Sequence, residues 1–189
     1  MSQPQAWRVL KKRIVYEDRW VQVVLVDVLL PDGTPYTYTT LKRVPGAAVV
    51  AVNEEGFWLI QREYRHPLGR VIYQLPGGLV DEGETPLETA RRELLEETGY
   101  VAARWSRLGV VEDNPGLIEG QTTLFLARDL RYHGPPRPER TETFDATWRS
   151  PTWIRERILA GEITDRVLLA AYAFLCPPPG TDLREKDEG

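Results

Sequence analysis

Residues 77–100 read GGLVDEGETPLETARRELLEETGY and constrain this chain more than any other stretch. A glycine-rich run leads into a helix with both borders marked. Thr85 is a natural N-cap, Pro86 suits the first helical position, and Glu88 completes a capping box with Thr85. Gly99 is placed to end the helix in a left-handed conformation, so a helix is predicted over 86–98. Leu87, Ala90, Leu94 and Leu95 give it an apolar side, while Glu93, Glu96 and Glu97 crowd into little more than one turn elsewhere on its circumference. Like charges at helical spacings of three and four cost about 0.2–0.5 kcal/mol per pair, so the crowding calls for a reason.

A solvated acidic face is one reason, with Arg91 and Arg92 compensating. The glycines ahead of the helix favour another, because they let backbone carbonyls come close to a site. Glu93 and Glu97 stand at i and i+4 with Glu96 between them, so their carboxylates can converge. Hard divalent cations take several oxygens, and Mg²⁺ binds one or two carboxylates together with substrate phosphates. A metal would relieve the repulsion.

The surrounding chain supplies sheets and further helices. RWVQVVLVDVLL and YTYTTLKRV read as strands around a PDGTP turn, which makes the first forty-five residues a small antiparallel sheet. AAVVAV and FWLIQREY form a second hairpin around NEEG. WSRLGVVED, TTLFLARDL and TFDATWR are strands, HGPPRPERTET is a loop, and LPGGLVDEGET is a glycine-rich loop. SPTWIRERILAG, capped by Ser150, and TDRVLLAAYAFL are helices. The prediction is an α/β fold with helices packed on a mixed sheet, divided into a β-domain at 1–45, a main domain at 46–176 and a disordered tail at 177–189.

Composition removes several function classes. With 189 residues and 42% hydrophobic content the chain can build one sizeable core with a small appendage. A net charge of −4 gives no basic field for nucleic acid. The single cysteine, Cys176, excludes an internal disulfide framework and a multi-cysteine zinc site, and its flanks suggest a buried helix end. No apolar signal region and no run near ~18 apolar residues is present, so a cytoplasmic protein without membrane contact is expected. His66 and His133 show no ligand spacing.

The spacing Gly78, five residues, Glu84, seven residues, then Arg92-Glu93-Leu94-Leu95-Glu96-Glu97-Thr98-Gly99-Tyr100 resembles the signature of Nudix hydrolases, which cleave nucleoside diphosphates linked to another group. Tyr100 departs from the aliphatic residue of that pattern. The resemblance implies the α/β/α Nudix sandwich with a mixed sheet, preceded by the small antiparallel β-domain. It also implies Mg²⁺, with Mn²⁺ as the alternative, held by Glu93 and Glu97, by Glu96 directly or through water, and by the Gly77 carbonyl. Arg92 would orient the carboxylates, with Glu84 doing similar work or shaping the helix entrance.

Pro115, fifteen residues after Tyr100 in EDNPGLIEGQTTLFLA, resembles the proline mark of ADP-ribose pyrophosphatases, although Gly120 stands where many bacterial relatives carry glutamate. That subfamily exchanges its N-terminal β-domain across a homodimer. Trp20 and Tyr38 match its adenine-stacking aromatics, Arg43 and Arg65 its phosphate or ribose contacts. Glu142 is the best match to its catalytic glutamate, with Glu139 in reserve. The implied reaction is hydrolysis of ADP-ribose to AMP and ribose 5-phosphate. Another nucleoside diphosphate sugar, such as GDP-mannose, is the alternative substrate. A non-catalytic sugar-nucleotide sensor is disfavoured because the box acids are all present, and an isomerase because no cysteine lies near the box.

Overall fold

The structure is a computed structural model, and it describes residues 5–137 and 144–176. The chain folds as two compact units, Met1–Pro45 with Glu112–Gln121, and Gly46–Val111 with Thr122–Gly189.

The first unit is built on an antiparallel meander of β1 (Arg8–Glu17), β2 (Val21–Leu29) and β3 (Pro35–Arg43). Val26 and Val28 are its buried residues, whereas every residue of β1 is exposed. Leu41 and Lys42 of β3 pair in parallel with Ile118 and Glu119. Asn114 to Leu117 forms a turn at Pro115, closed by the Leu117 N–H donating to the Asn114 carbonyl at 2.9 Å.

In the second unit β4 (Gly46–Ala51) is buried at every position. It lies between β7 (Gly77–Leu79), to which it is antiparallel, and the Thr122–Ala127 part of β9 (Ile118–Tyr132), to which it is parallel. β8 (Tyr100–Asn114) also pairs with β9. A three-stranded sheet has β5 (Trp58–Arg65) between β6 (Arg70–Gln74) and β10 (Phe144–Arg149). Side chains alternate faces along a strand, and β4 separates two cores accordingly. Ala47 and Val49 pack with Leu59 and with Ala90 and Leu94 of α1 (Pro86–Thr98). Ala48 and Val50 pack with Ile60, with Ile154 of α2 (Pro151–Leu159) and with Leu168 of α3 (Arg166–Leu175). The result is the expected sandwich, a mixed sheet with α1 on one face and α2 and α3 on the other.

α1 spans the predicted 86–98, with both halves of the Thr85–Glu88 capping box formed and Gly99 at φ 74°. Ser150 caps α2 as predicted, and Asp165 caps α3. Cys176 is half-buried at the end of α3, where burial pushes its thiol up. One prediction fails: the run read as a loop contains strand β7. Its glycines carry no strand propensity, but pairing requires one of them. Gly77 has φ 153°, and a Cβ on it would stand 2.3 Å from the Ala47 carbonyl oxygen of β4. Among the described residues no helix is long and apolar enough to cross a membrane.

Candidate active site

β7 brings its glycines against the acidic face of α1. A Cβ on Gly78 would lie 2.0 Å from Glu93 Oε1, so the carboxylate occupies the space that only glycine leaves open. The Gly77 N–H donates to Glu97 Oε2 at 2.8 Å, and the Gln61 side-chain amide donates to the same oxygen at 3.1 Å. Glu93 and Glu97 are buried, 8% and 3% exposed, whereas the side chain of Glu96 is 45% exposed.

Arg92 gathers the remaining acids. Its Nη1 donates to Glu93 Oε1 at 2.8 Å and to Glu96 Oε2 at 3.2 Å. Its Nε and Nη2 hold the two oxygens of Glu84 at 3.0 and 3.1 Å, a bidentate fork, and Nη2 also reaches the Leu79 carbonyl. The Arg92 fork and the Thr89 hydroxyl hold the Glu84 carboxyl well below its usual range, at about 2. Hydrogen bonding to Glu84 in turn raises Arg92 above the ordinary arginine range. The three box glutamates are therefore shared between two clamps, Arg92 on Glu93 and Glu96, and Gly77 with Gln61 on Glu97. Among the described residues no group of three or more His, Cys, Asp or Glu side chains is drawn together closely enough to hold an ion. The donor set is nonetheless all oxygen, three carboxylates beside a strand of backbone carbonyls, and fits a hard divalent cation rather than a soft one.

Arg65 lies in the same unit at the end of β5. It pairs with buried Glu63 at 2.8 Å and donates from Nε to Gln74 Oε1 at 2.6 Å, while its side chain remains 42% exposed. The other sequence-predicted binding residues are grouped in the first unit. Asp18 accepts hydrogen bonds from the Trp20 and Val21 backbone N–H groups at 2.8 and 2.9 Å, which fixes the turn carrying Trp20. These bonds, the Trp20 one foremost, lower the Asp18 carboxyl. Trp20 is 47% exposed, borders a cavity of about 380 Å³ shared with Lys42 and Arg43, and is covered on its ring by the Arg19 guanidinium at 4.1 Å. Arg43 pairs with buried Asp113 at 3.0 Å, and Gly120 leaves the room beside that pair. Tyr38 donates its hydroxyl to the Gly116 carbonyl beside Pro115, and its ring meets Trp7 edge-on at 5.7 Å. Glu139 and Glu142 lie outside the described residues.

Sequence reasoning missed Gln61, Glu63 and Gln74. Their only local signal is polarity inside a strand-like run, and the partner of Gln61 is thirty-six positions away.

The NUDIX domain model matches residues 42–172. The chain belongs to the Nudix family. It is 34% identical to an ADP-ribose pyrophosphatase of Mycobacterium tuberculosis over 147 residues, covering 76% of this chain and 70% of that one. It is 33% identical to a CMP-5'-(N-acetyl-N-hydroxy-3-aminopropyl)phosphonate hydrolase of Streptomyces rubellomurinus over 172 residues, covering 89% of this chain and 82% of that one. The crystal structure of an ADP compounds hydrolase superposes with a TM-score of 0.80 at 20% identity, covering 92% of this chain and 94% of that chain, and agrees in fold.

Proposed function

We propose that this protein is a Mg²⁺-dependent hydrolase of ADP-ribose, releasing AMP and ribose 5-phosphate. The observation that carries the reading is the arrangement of the Nudix-box acids, with Glu93 fitted against Gly78, Glu97 tied to Gly77, and Glu93 and Glu96 held by Arg92. Glu93, Glu96, Glu97 and the Gly77 carbonyl are the residues that would hold the cation, Mg²⁺ or Mn²⁺. When bound, a divalent cation neutralises diphosphate oxygens and makes water a competent nucleophile at neutral pH.

The protein groups do the rest. Water attacks one phosphorus, a new P–O bond forms, and the bond from that phosphorus to the bridging oxygen breaks. The bridging oxygen leaves with the other phosphate, and the proton of the attacking water passes to a carboxylate. Glu142 is proposed as that base, with Glu139 as the alternative. Arg92 keeps the acids oriented without entering the reaction. Arg65, held on one side by Glu63 and Gln74, offers its remaining N–H donors to substrate phosphate or ribose. Trp20, together with Tyr38, is proposed to stack on the base and Arg43 to contact the nucleotide, with the turn at Pro115 bordering the same region.

A homodimer belongs to the same proposal. Val9, Leu10, Ile14 and Val15 of β1 are each more than half exposed, apolar side chains that a second copy would cover. The proposal also keeps the cytoplasmic location expected from the sequence.

The Streptomyces relative makes the nucleotide the point to test, since its name carries a cytidine monophosphate. Purified protein with Mg²⁺ is incubated with ADP-ribose, GDP-mannose and a CMP-linked substrate at equal concentration, and released monophosphates are separated by chromatography. AMP is expected to dominate. Faster release of GMP or CMP moves the proposal to the other nucleotide, and release of none overturns it.

A further inference from the structure

β5 carries a polar row on the face where its core should be driest. Leu59 packs against α1 residues, and side chains two apart share a face, so Gln61, Glu63 and Arg65 continue on that side. Gln61 is 1% exposed, with Ile60 and Leu59 as buried neighbours along the strand. An amide is unfavourable in such a place unless its hydrogen bonds are made. The partner it makes is Glu97, an acid of the proposed cation site.

We infer that Gln61 is a positioning residue that holds the Glu97 carboxylate in the orientation in which it binds a divalent cation. The inference rests on the cation site proposed above. The geometry is specific: Gln61 Nε2 and the Gly77 N–H approach one and the same oxygen, Oε2, at 3.1 and 2.8 Å. Two donors from two different strands, β5 and β7, tie Oε2 of Glu97 to the scaffold. A glutamate side chain otherwise samples several rotamers, and metal affinity suffers when its outer partners are lost, typically by 10–100-fold. β5 itself is braced by β10, with Ala146 directly opposite Gln61, so the amide sits on a central strand rather than on a loop.

The test uses Gln61→Met, which keeps the volume and apolar fit and removes the donor. Mn²⁺ binding to the substrate-free full chain is titrated by electron paramagnetic resonance, alongside thermal midpoints without metal and kcat against metal concentration. The expected result is a dissociation constant about 10–100-fold weaker, a metal-free midpoint close to wild type, and kcat largely recovered at saturating metal. A folded Gln61→Met with wild-type Mn²⁺ affinity overturns the inference. Should the variant not fold, the wild type decides: its Gln61 side-chain amide resonances must shift when Mg²⁺ is added, and unmoved resonances overturn the inference. Glu97→Gln separates the two levels. If it binds Mn²⁺ like wild type, the cation-site reading itself fails; if it loses the ion while Gln61→Met does not, only the role of Gln61 fails.

Discussion

The box region of the second unit and the Trp20 turn of the first carry the two halves of the proposed chemistry, and they are built differently. Around α1 the acids are buried or clamped, with Arg92 engaging Glu84, Glu93 and Glu96 together, and with β7 shaped to Glu93 by the lack of a single Cβ. Around Trp20 the ring is about half exposed, its covering partner is the neighbouring Arg19, and Arg43 is balanced by Asp113. The difference teaches where geometry is demanding. Bond cleavage requires carboxylates held to within a fraction of an ångström, so they are packed into the sandwich. Stacking on a flat base tolerates sliding, so an exposed turn suffices.

The contrast breaks first at Gly78. An alanine there would place its Cβ 2.0 Å from Glu93 Oε1, well inside the ordinary ~3.5 Å carbon contact. The flexible carboxylate moves instead of the backbone, so Gly78→Ala is expected to fold with a near-normal melting temperature. Its kcat should fall by about 10²-fold, the scale of a 1 Å misplacement. Wild-type turnover in Gly78→Ala would show that the fit against Glu93 has no catalytic meaning. A smaller effect is expected in the first unit. Trp20→Ala removes a contact made equally in ground and transition states, so KM rises by about tenfold, within the ~1–3 kcal/mol of a stacked base, while kcat holds. A drop in kcat with unchanged KM would contradict the division between the two regions.

The smallest effect concerns stability in acid. The Arg92 fork depresses Glu84 from 4.5 to about 2, so the folded form releases this proton more readily than the unfolded form. The stabilisation is therefore complete above about pH 4.5 and is lost as pH falls from there towards 2. The gap in urea midpoint between wild type and Glu84→Gln should narrow between pH 5 and pH 3. A gap that stays constant over that range would mean that the Glu84 charge does not contribute.

α1 was legible in the sequence to the residue because its signals are local: a cap, a proline, a capping box and a terminal glycine all act within one turn of where they stand. The mixed sheet with helices packed on it was legible from the alternation and helical periodicity of its elements, and its arrangement as a sandwich followed from the resemblance of the acidic helix and its glycine run to the Nudix signature. β7 was hidden, since Gly77 and Gly78 pair with Ala48 and Ala47 through contacts some thirty residues distant and have no propensity to announce it. The expected pairing of Arg92 with acids was readable at i+4 to Glu96, and its bond to Glu84 emerged only once the loop was folded back. The same distance rule hid Asp113 beside Arg43, seventy positions apart, and Gln61 beside Glu97. Side-chain partners across strands are set by topology, which a local pattern does not contain.

The central claim is that the acidic turn of α1 is a cation site that hydrolyses a nucleoside diphosphate. It is tested most directly by following ADP-ribose in ¹⁸O-labelled water by ³¹P nuclear magnetic resonance, with Mg²⁺, with excess chelator, and with Glu97→Gln in place of wild type. The account predicts equal amounts of AMP and ribose 5-phosphate, one of the two phosphates carrying a single ¹⁸O. It also predicts no turnover in chelator, and a loss in Glu97→Gln at least as large as the ~10–100-fold expected for outer partners of a metal. Cleavage that persists in chelator, or that proceeds undiminished in folded Glu97→Gln, would contradict it.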